Sequence, residues 1–185
     1  MKYYQKMLFS LFLGVCFCTT FIEAKSFSQN IALDASGAGV AVWNTKFNTY
    51  HSVEAAVISA SGAWSSSTTL STPGQDATFP LIVVDAGGNA VALWSAYDSS
   101  LTVNTLQIAM LPFGGSWTAP LVISSPSEDV ASTSTGFNPP YSLVMNDTGT
   151  IVAVWNAFVG SDLVIRSANF NSNNSIWSFP QTISP

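Results

Sequence analysis

Ile31-Ala32-Leu33-Asp34-Ala35-Ser36-Gly37-Ala38-Gly39-Val40-Ala41-Val42-Trp43 is written three times in this chain. It returns as Ile82-Val83-Val84-Asp85-Ala86-Gly87-Gly88-Asn89-Ala90-Val91-Ala92-Leu93-Trp94 and as Leu143-Val144-Met145-Asn146-Asp147-Thr148-Gly149-Thr150-Ile151-Val152-Ala153-Val154-Trp155. A second tryptophan follows each copy at a nearly constant distance: Trp64, Trp117 and Trp177. Recurrence after 51 and then 61 residues marks a repeat architecture.

Each copy reads as a strand, a tight turn and a second strand. Asp34, Asp85 and Asn146 each stand three places before a glycine (Gly37, Gly88, Gly149). That spacing predicts a type I turn, in which the side chain caps the turn and the glycine takes the left-handed conformation. The second strands, about 39–44, 90–95 and 151–156, are small and branched apolar runs ending in Trp. Runs of this kind suit strands covered on both faces. Third strands follow, with Ala56, Ala109 and Ala168 at matching places, and a fourth is predicted to run on from each second Trp. No segment shows a 3.6-residue period, so helix is not expected outside the amino terminus.

Four antiparallel strands per repeat of about 50 residues describe a β-propeller blade. The predicted fold is therefore all-β, with three four-stranded propeller-type blades at about 25–74, 75–127 and 128–185. The pattern Asp34, Gly37, Val40, Ala41 and Trp43, with the later Gly115-Ser116-Trp117-Thr118-Ala119-Pro120, resembles the blades of bacterial sialidase-like propellers. Ser172 to Trp177 looks like a degenerate Asp-box of that group. The likeness covers nearly the whole chain after residue 24. It implies a blade, and carries no sialidase chemistry: that group needs an arginine cluster, and only Arg166 remains in this region.

Propellers close with four to eight blades, so three units leave the ring incomplete. Three accounts stand open: two chains pairing into six blades, an open arc, or a remnant of a longer propeller. Apolar end faces are disfavoured on soluble monomers, which points to a homodimer. A transmembrane β-barrel is the weaker alternative, because its strands would be longer and would alternate strictly.

Residues 1–24 have the layout of a secretory signal peptide: Lys2 and Lys6, an apolar run from Met7 to Ile22, and Ala24 at the expected cut. Cleavage there would export the protein to the periplasm, cell surface or medium, with no membrane insertion afterwards. An uncleaved anchor is the alternative. Both cysteines, Cys16 and Cys18, would leave with the segment. Three cations (Lys25, Lys46, Arg166) would then face nine acids, which disfavours nucleic acid and anionic lipid as partners.

The stereotyped turns mark one edge of the blades, and the longer loops gather at the other. There, Asn44, Ser95 and Asn156 directly follow the first Trp of each copy, with Tyr50, Tyr97 and Phe158 close by. Aromatic faces beside amides and hydroxyls suit a sugar ring, and these six are the candidate ligand-binding residues. No catalytic residue, metal site or cofactor is expected. Asp34, Asp85 and Asn146 are explained as turn caps, Glu128-Asp129 as a solvated loop, and His51 without cysteine does not make a zinc site. The expected function is an exported, non-enzymatic binding or adhesion module whose partner is a carbohydrate or a cell-surface protein. A structural unit of the cell envelope, a truncated remnant, and a weak glycoside hydrolase drawing on Asp76, Glu128 and Asp129 are the alternatives.

Overall fold

The repeated Asp or Asn shapes the first hairpin of each blade. Asp34 Oδ1 accepts the N–H groups of Ser36 (2.7 Å) and Ala38 (3.1 Å). Asp85 does the same for Gly87 and Asn89, and Asn146 for Thr148 and Thr150. Gly37, Gly88 and Gly149 take φ of 85°, 80° and 76°, a region that costs an L side chain about 1–2 kcal/mol. All three turns form as the spacing predicts.

A computed structural model describes residues 28–47, 49–131, 139–172 and 174–184. The signal-peptide reading of residues 1–24 lies outside them. Blade 1 contains β1 (Gln29–Leu33), β2 (Gly39–Phe47), β3 (Tyr50–Ile58) and β4 (Thr68–Thr69). Blade 2 contains β5 (Ala77–Val84), β6 (Ala90–Asp98), β7 (Val103–Leu111) and β8 (Leu121–Val122). Blade 3 is built from β9 (Asp129–Val130), β10 (Tyr141–Met145), β11 (Ile151–Val159), β12 (Asp162–Asn171), β13 (Ile176–Trp177) and β14 (Gln181–Thr182). Pairing is antiparallel throughout, in the order β1-β2-β3-β4, β5-β6-β7-β8 and β10-β11-β12-β13. In blade 3, β9 also pairs with β11, and β14 with β12, so the outer strands there are each broken in two. Among the described residues there is no helix, and the strands form separate sheets rather than one closed barrel.

The longer second spacing comes mainly from an insertion. Val130 pairs with Ala157 where Ala77 pairs with Ala96, so the two positions correspond. Blade 2 crosses from Ala77 to Leu81 by a bulge, whereas blade 3 inserts the segment between Val130 and Tyr141. The blade 2 bulge sets Phe79 at φ 55°, and Tyr141 from blade 3 holds it. The Tyr141 hydroxyl donates to Phe79 O at 2.6 Å and accepts Ser95 N–H at 3.1 Å. Burial raises the Tyr141 pKa well above the ordinary phenol value, against the opposing pull of the Ser95 N–H.

The fourth strands are shorter than the sequence predicts. Only two residues pair in β4 and in β8, and hydroxyls take over beyond them. The residue after each second Trp (Ser65, Thr118, Ser178) accepts an N–H of the third strand, from Val57, Met110 and Asn169 respectively, at 3.0 Å. Ser71, Ser124 and Ser184 accept from Val53, Leu106 and Ile165 in the same way. Side chains thus satisfy an edge that a longer strand would otherwise cover.

Blades stack face to face. The leading face of blade 1 (Val40, Val42, Val53, Ala55) shares a core with the trailing face of blade 2 (Ile82, Ala90, Ala92, Trp94, Ala96). Blade 2's leading face (Val91, Leu93, Leu106, Ile108) meets blade 3's trailing face (Leu143, Ile151, Ala153, Trp155, Ala157) in the same register. Trp94 and Trp155 are fully buried in these seams. Trp43 is only half-buried and Trp64 is exposed, because no described blade covers the trailing face of blade 1.

Candidate functional site

The links between blades repeat a motif, Ser71-Thr72-Pro73-Gly74-Gln75-Asp76 and Ser124-Ser125-Pro126-Ser127-Glu128-Asp129. Its last two residues reach in opposite directions. Asp76 turns back to blade 1, where its Oδ1 accepts His51 N–H (2.7 Å) and lies 2.8 Å from His51 Nδ1. Asp129 turns back to blade 2 and accepts N–H and Nδ2–H of Asn104. The residue before it reaches forward. Gln75 Oε1 accepts Gln107 Nε2–H at 3.1 Å. Glu128 occupies the corresponding place in blade 3, where Arg166 Nε donates to its Oε2 at 2.8 Å and Trp155 Nε1 donates to Oε1 at 3.0 Å.

This corrects two expectations. Glu128-Asp129 is no solvated loop: Glu128 is fully buried and ion-paired, and Asp129 is a clasp between blades. Glu128 is therefore removed from any hydrolytic pair with Asp76, since its carboxylate is committed to Arg166, Trp155 and Ser125 N–H.

At the first link, the loop edges of blades 1 and 2 border an open cavity of about 440 Å³. Tyr50 stands on one side and Tyr97, Asp98 and Ser99 on another, while residues 72–76, Gln107, Pro120 and Val122 complete the lining. Tyr97 N–H donates to Asp76 O at 2.9 Å, which fixes the hairpin against the link. The Asp98 carboxylate accepts Ser100 Oγ–H (2.6 Å) and the N–H groups of Ser100 and Leu101. Those bonds, the Ser100 hydroxyl first, hold its pKa below the usual aspartate value. Gln107 is buried, and its Oε1 has no hydrogen-bond partner among the described residues. Neither lysine nor arginine is among the lining residues.

Of the six candidate residues, Tyr50 and Tyr97 meet at this cavity. Asn44 is buried on the leading face of blade 1, its side-chain O and N without partners among the described residues. Ser95 is buried beside Tyr141, and Asn156 is half-buried with its N–H on Pro140 O. Phe158 lies exposed on blade 3. None of these four lines the cavity. Gln75 and Gln107 were not singled out by sequence reasoning; the repeated link motif was the signal that points to Gln75.

No protein-family model matches the chain, and no curated protein matches it in sequence. Among solved structures, an endo-arabinase from Bacteroides thetaiotaomicron VPI-5482 is similar at 15% identity with a TM-score of 0.53. The match covers 85% of this chain and 61% of the endo-arabinase. The fold is propeller-like. A protein of unknown function from Dyadobacter fermentans DSM 18053 is similar at 9% identity and TM-score 0.41, over 86% of this propeller chain and 69% of its own. The propeller prediction stands, reached through an endo-arabinase rather than a sialidase. The expectation that the chain is no enzyme is overturned: an endo-arabinase, an enzyme, is among the solved structures that share its fold.

Proposed function

We infer that the chain is an exported, carbohydrate-engaging propeller module, and that the cavity between Tyr50 and Tyr97 receives a neutral sugar. The observation that carries this reading is that two tyrosines, Tyr50 and Tyr97, line one cavity together with the polar side chains Gln75, Asp76 and Asp98. A sugar presents an apolar ring face to an aromatic side chain and hydroxyl donors to an amide oxygen. Asp76 and Asp98 in the lining, with neither lysine nor arginine among the lining residues, disfavour anionic sugars. The shared fold with an endo-arabinase supports a glycan as the ligand class.

The test is retention of the full chain on immobilised neutral oligosaccharides, arabinan fragments included. Tyr97→Ala should lower affinity at least tenfold with an unchanged thermal midpoint. Equal retention of both proteins would remove the cavity from the reading. A second reading, that the bound glycan is also cleaved, is favoured by two aspartates lining one cavity. New reducing ends that disappear with Asp98→Asn would support it; a silent panel would count against it.

A further inference from the structure

The two end faces of the three-blade stack correspond, position by position, to the two faces that meet at each seam between blades. Corresponding positions follow from the strand registers: Ile31, Ile82 and Leu143 face Ala41, Ala92 and Ala153 on the trailing faces. Ile82 and Leu143 are 4% and 8% exposed against the preceding blade, whereas Ile31 is 56% exposed. Leu70, Ile123 and Ile183 correspond on the leading faces, each donating its N–H to the third strand. Leu70 and Ile123 are 4% and 5% exposed, and Ile183 is 57% exposed. Val53 and Leu106 are likewise fully buried where Ile165 is exposed.

Both end faces are partly apolar, with Glu54 also on the first and Ser142, Asn156, Ser167 and Asn169 also on the second. The trailing face of blade 1 carries Ile31, Leu33, Ala41 and Trp43. The leading face of blade 3 carries Val144, Val152, Val154, Leu163, Ile165 and Ile183. Exposed large apolar side chains on both end faces (Ile31, Leu33, Val144, Leu163, Ile165 and Ile183) are of the kind that mark protein contact sites.

We propose that a second copy of this chain covers both: the trailing face of blade 1 in each copy packs on the leading face of blade 3 in the other. The occupant is specified by continuity, since every leading face covered within the chain is covered by a trailing face of the same kind. A two-fold arrangement of two copies satisfies both end faces at once. The contact expected between copies is Ile31 with Ile165, as Ile82 shares a core with Val53 and Leu143 with Leu106. This proposal stands independently of the ligand.

The test is solution mass by light scattering on the full chain and two charge variants, Ile31→Lys and Ile165→Glu. Both positions are exposed in a single copy, so each variant should keep its β-sheet circular dichroism. The expected result is twice the chain mass for the unaltered protein, and one chain mass for each variant alone. An equal mixture of the variants returns to twice the chain mass, because one seam then pairs Lys with Glu and the other is unaltered. A single-chain mass for the unaltered protein, an open series of larger masses, or variants that still self-pair would each overturn the proposal.

Discussion

Asp34 accepts the Ser36 hydroxyl at 2.6 Å as well as two backbone N–H groups, and that hydroxyl is the main reason its pKa lies below the ordinary aspartate value. Asp98 is lowered in the same way by Ser100. A carboxyl lowered on folding contributes stability that is complete above its unfolded value, about pH 4, and is lost as pH falls through the folded value. The thermal midpoint should therefore drop on acidification below about pH 4. Asp34→Asn with Asp98→Asn should flatten that drop, and Asn146 shows that an amide can cap the turn that Asp34 caps. An unaltered acid profile in the double variant would remove these two caps as its source. Glu128 gives a sharper case. Removing one partner of a buried ion pair costs about 3–5 kcal/mol, so Glu128→Gln or Arg166→Gln alone should destabilise by roughly that amount in denaturant unfolding. The double change copies the Gln75–Gln107 pair of blade 2 and should recover more than half of the loss. Additive losses would contradict the correspondence. The turn caps were legible because each is a local contact within five residues. Glu128 and Arg166 are 38 residues apart, and their charges give no sign of pairing until β12 lies beside the link.

Strand existence was written in the repeat, but strand length was not. A predicted fourth strand from each second Trp becomes a two-residue ladder in blades 1 and 2, flanked by hydroxyl acceptors. The sequence shows Ser and Thr at those places, yet the same residues are common everywhere in this chain, which hid their role. Ser124→Ala should leave the buried Leu106 N–H without its acceptor, at a cost of about 1–3 kcal/mol. Ser184→Ala, at a more open edge, should cost less. Equal effects in thermal unfolding would mean that burial does not set the value of these bonds. Tyr141 is another case that pattern could not supply: its hydroxyl ties β10 to the blade 2 bulge across 62 residues. Tyr141→Phe should strip acceptor and donor from the Ser95 N–H and Phe79 O seam and destabilise by a similar amount.

At the scale of the molecule, the three-fold repeat foretold stacked blades, and the cores between them place Trp94 and Trp155 where a repeated tryptophan is needed. Which loops would meet was only half legible. Gathering the second-to-third hairpins at one edge brought Tyr50 and Tyr97 together, but Phe158 stayed apart. Hairpin position along a blade follows from strand order, whereas which hairpin side chains share a cavity depends on the link beside them, here the Asp76 link that holds His51 and Tyr97 N–H. The reading of the cavity as a carbohydrate site is tested most directly by amide chemical-shift mapping on addition of a neutral oligosaccharide retained by the protein. The account predicts shifts concentrated at 72–76, 97–99 and Gln107, with the turns at 34–38, 85–89 and 146–150 on the opposite edge unmoved. Shifts confined to those turns, or none along the link and its hairpins, would contradict it.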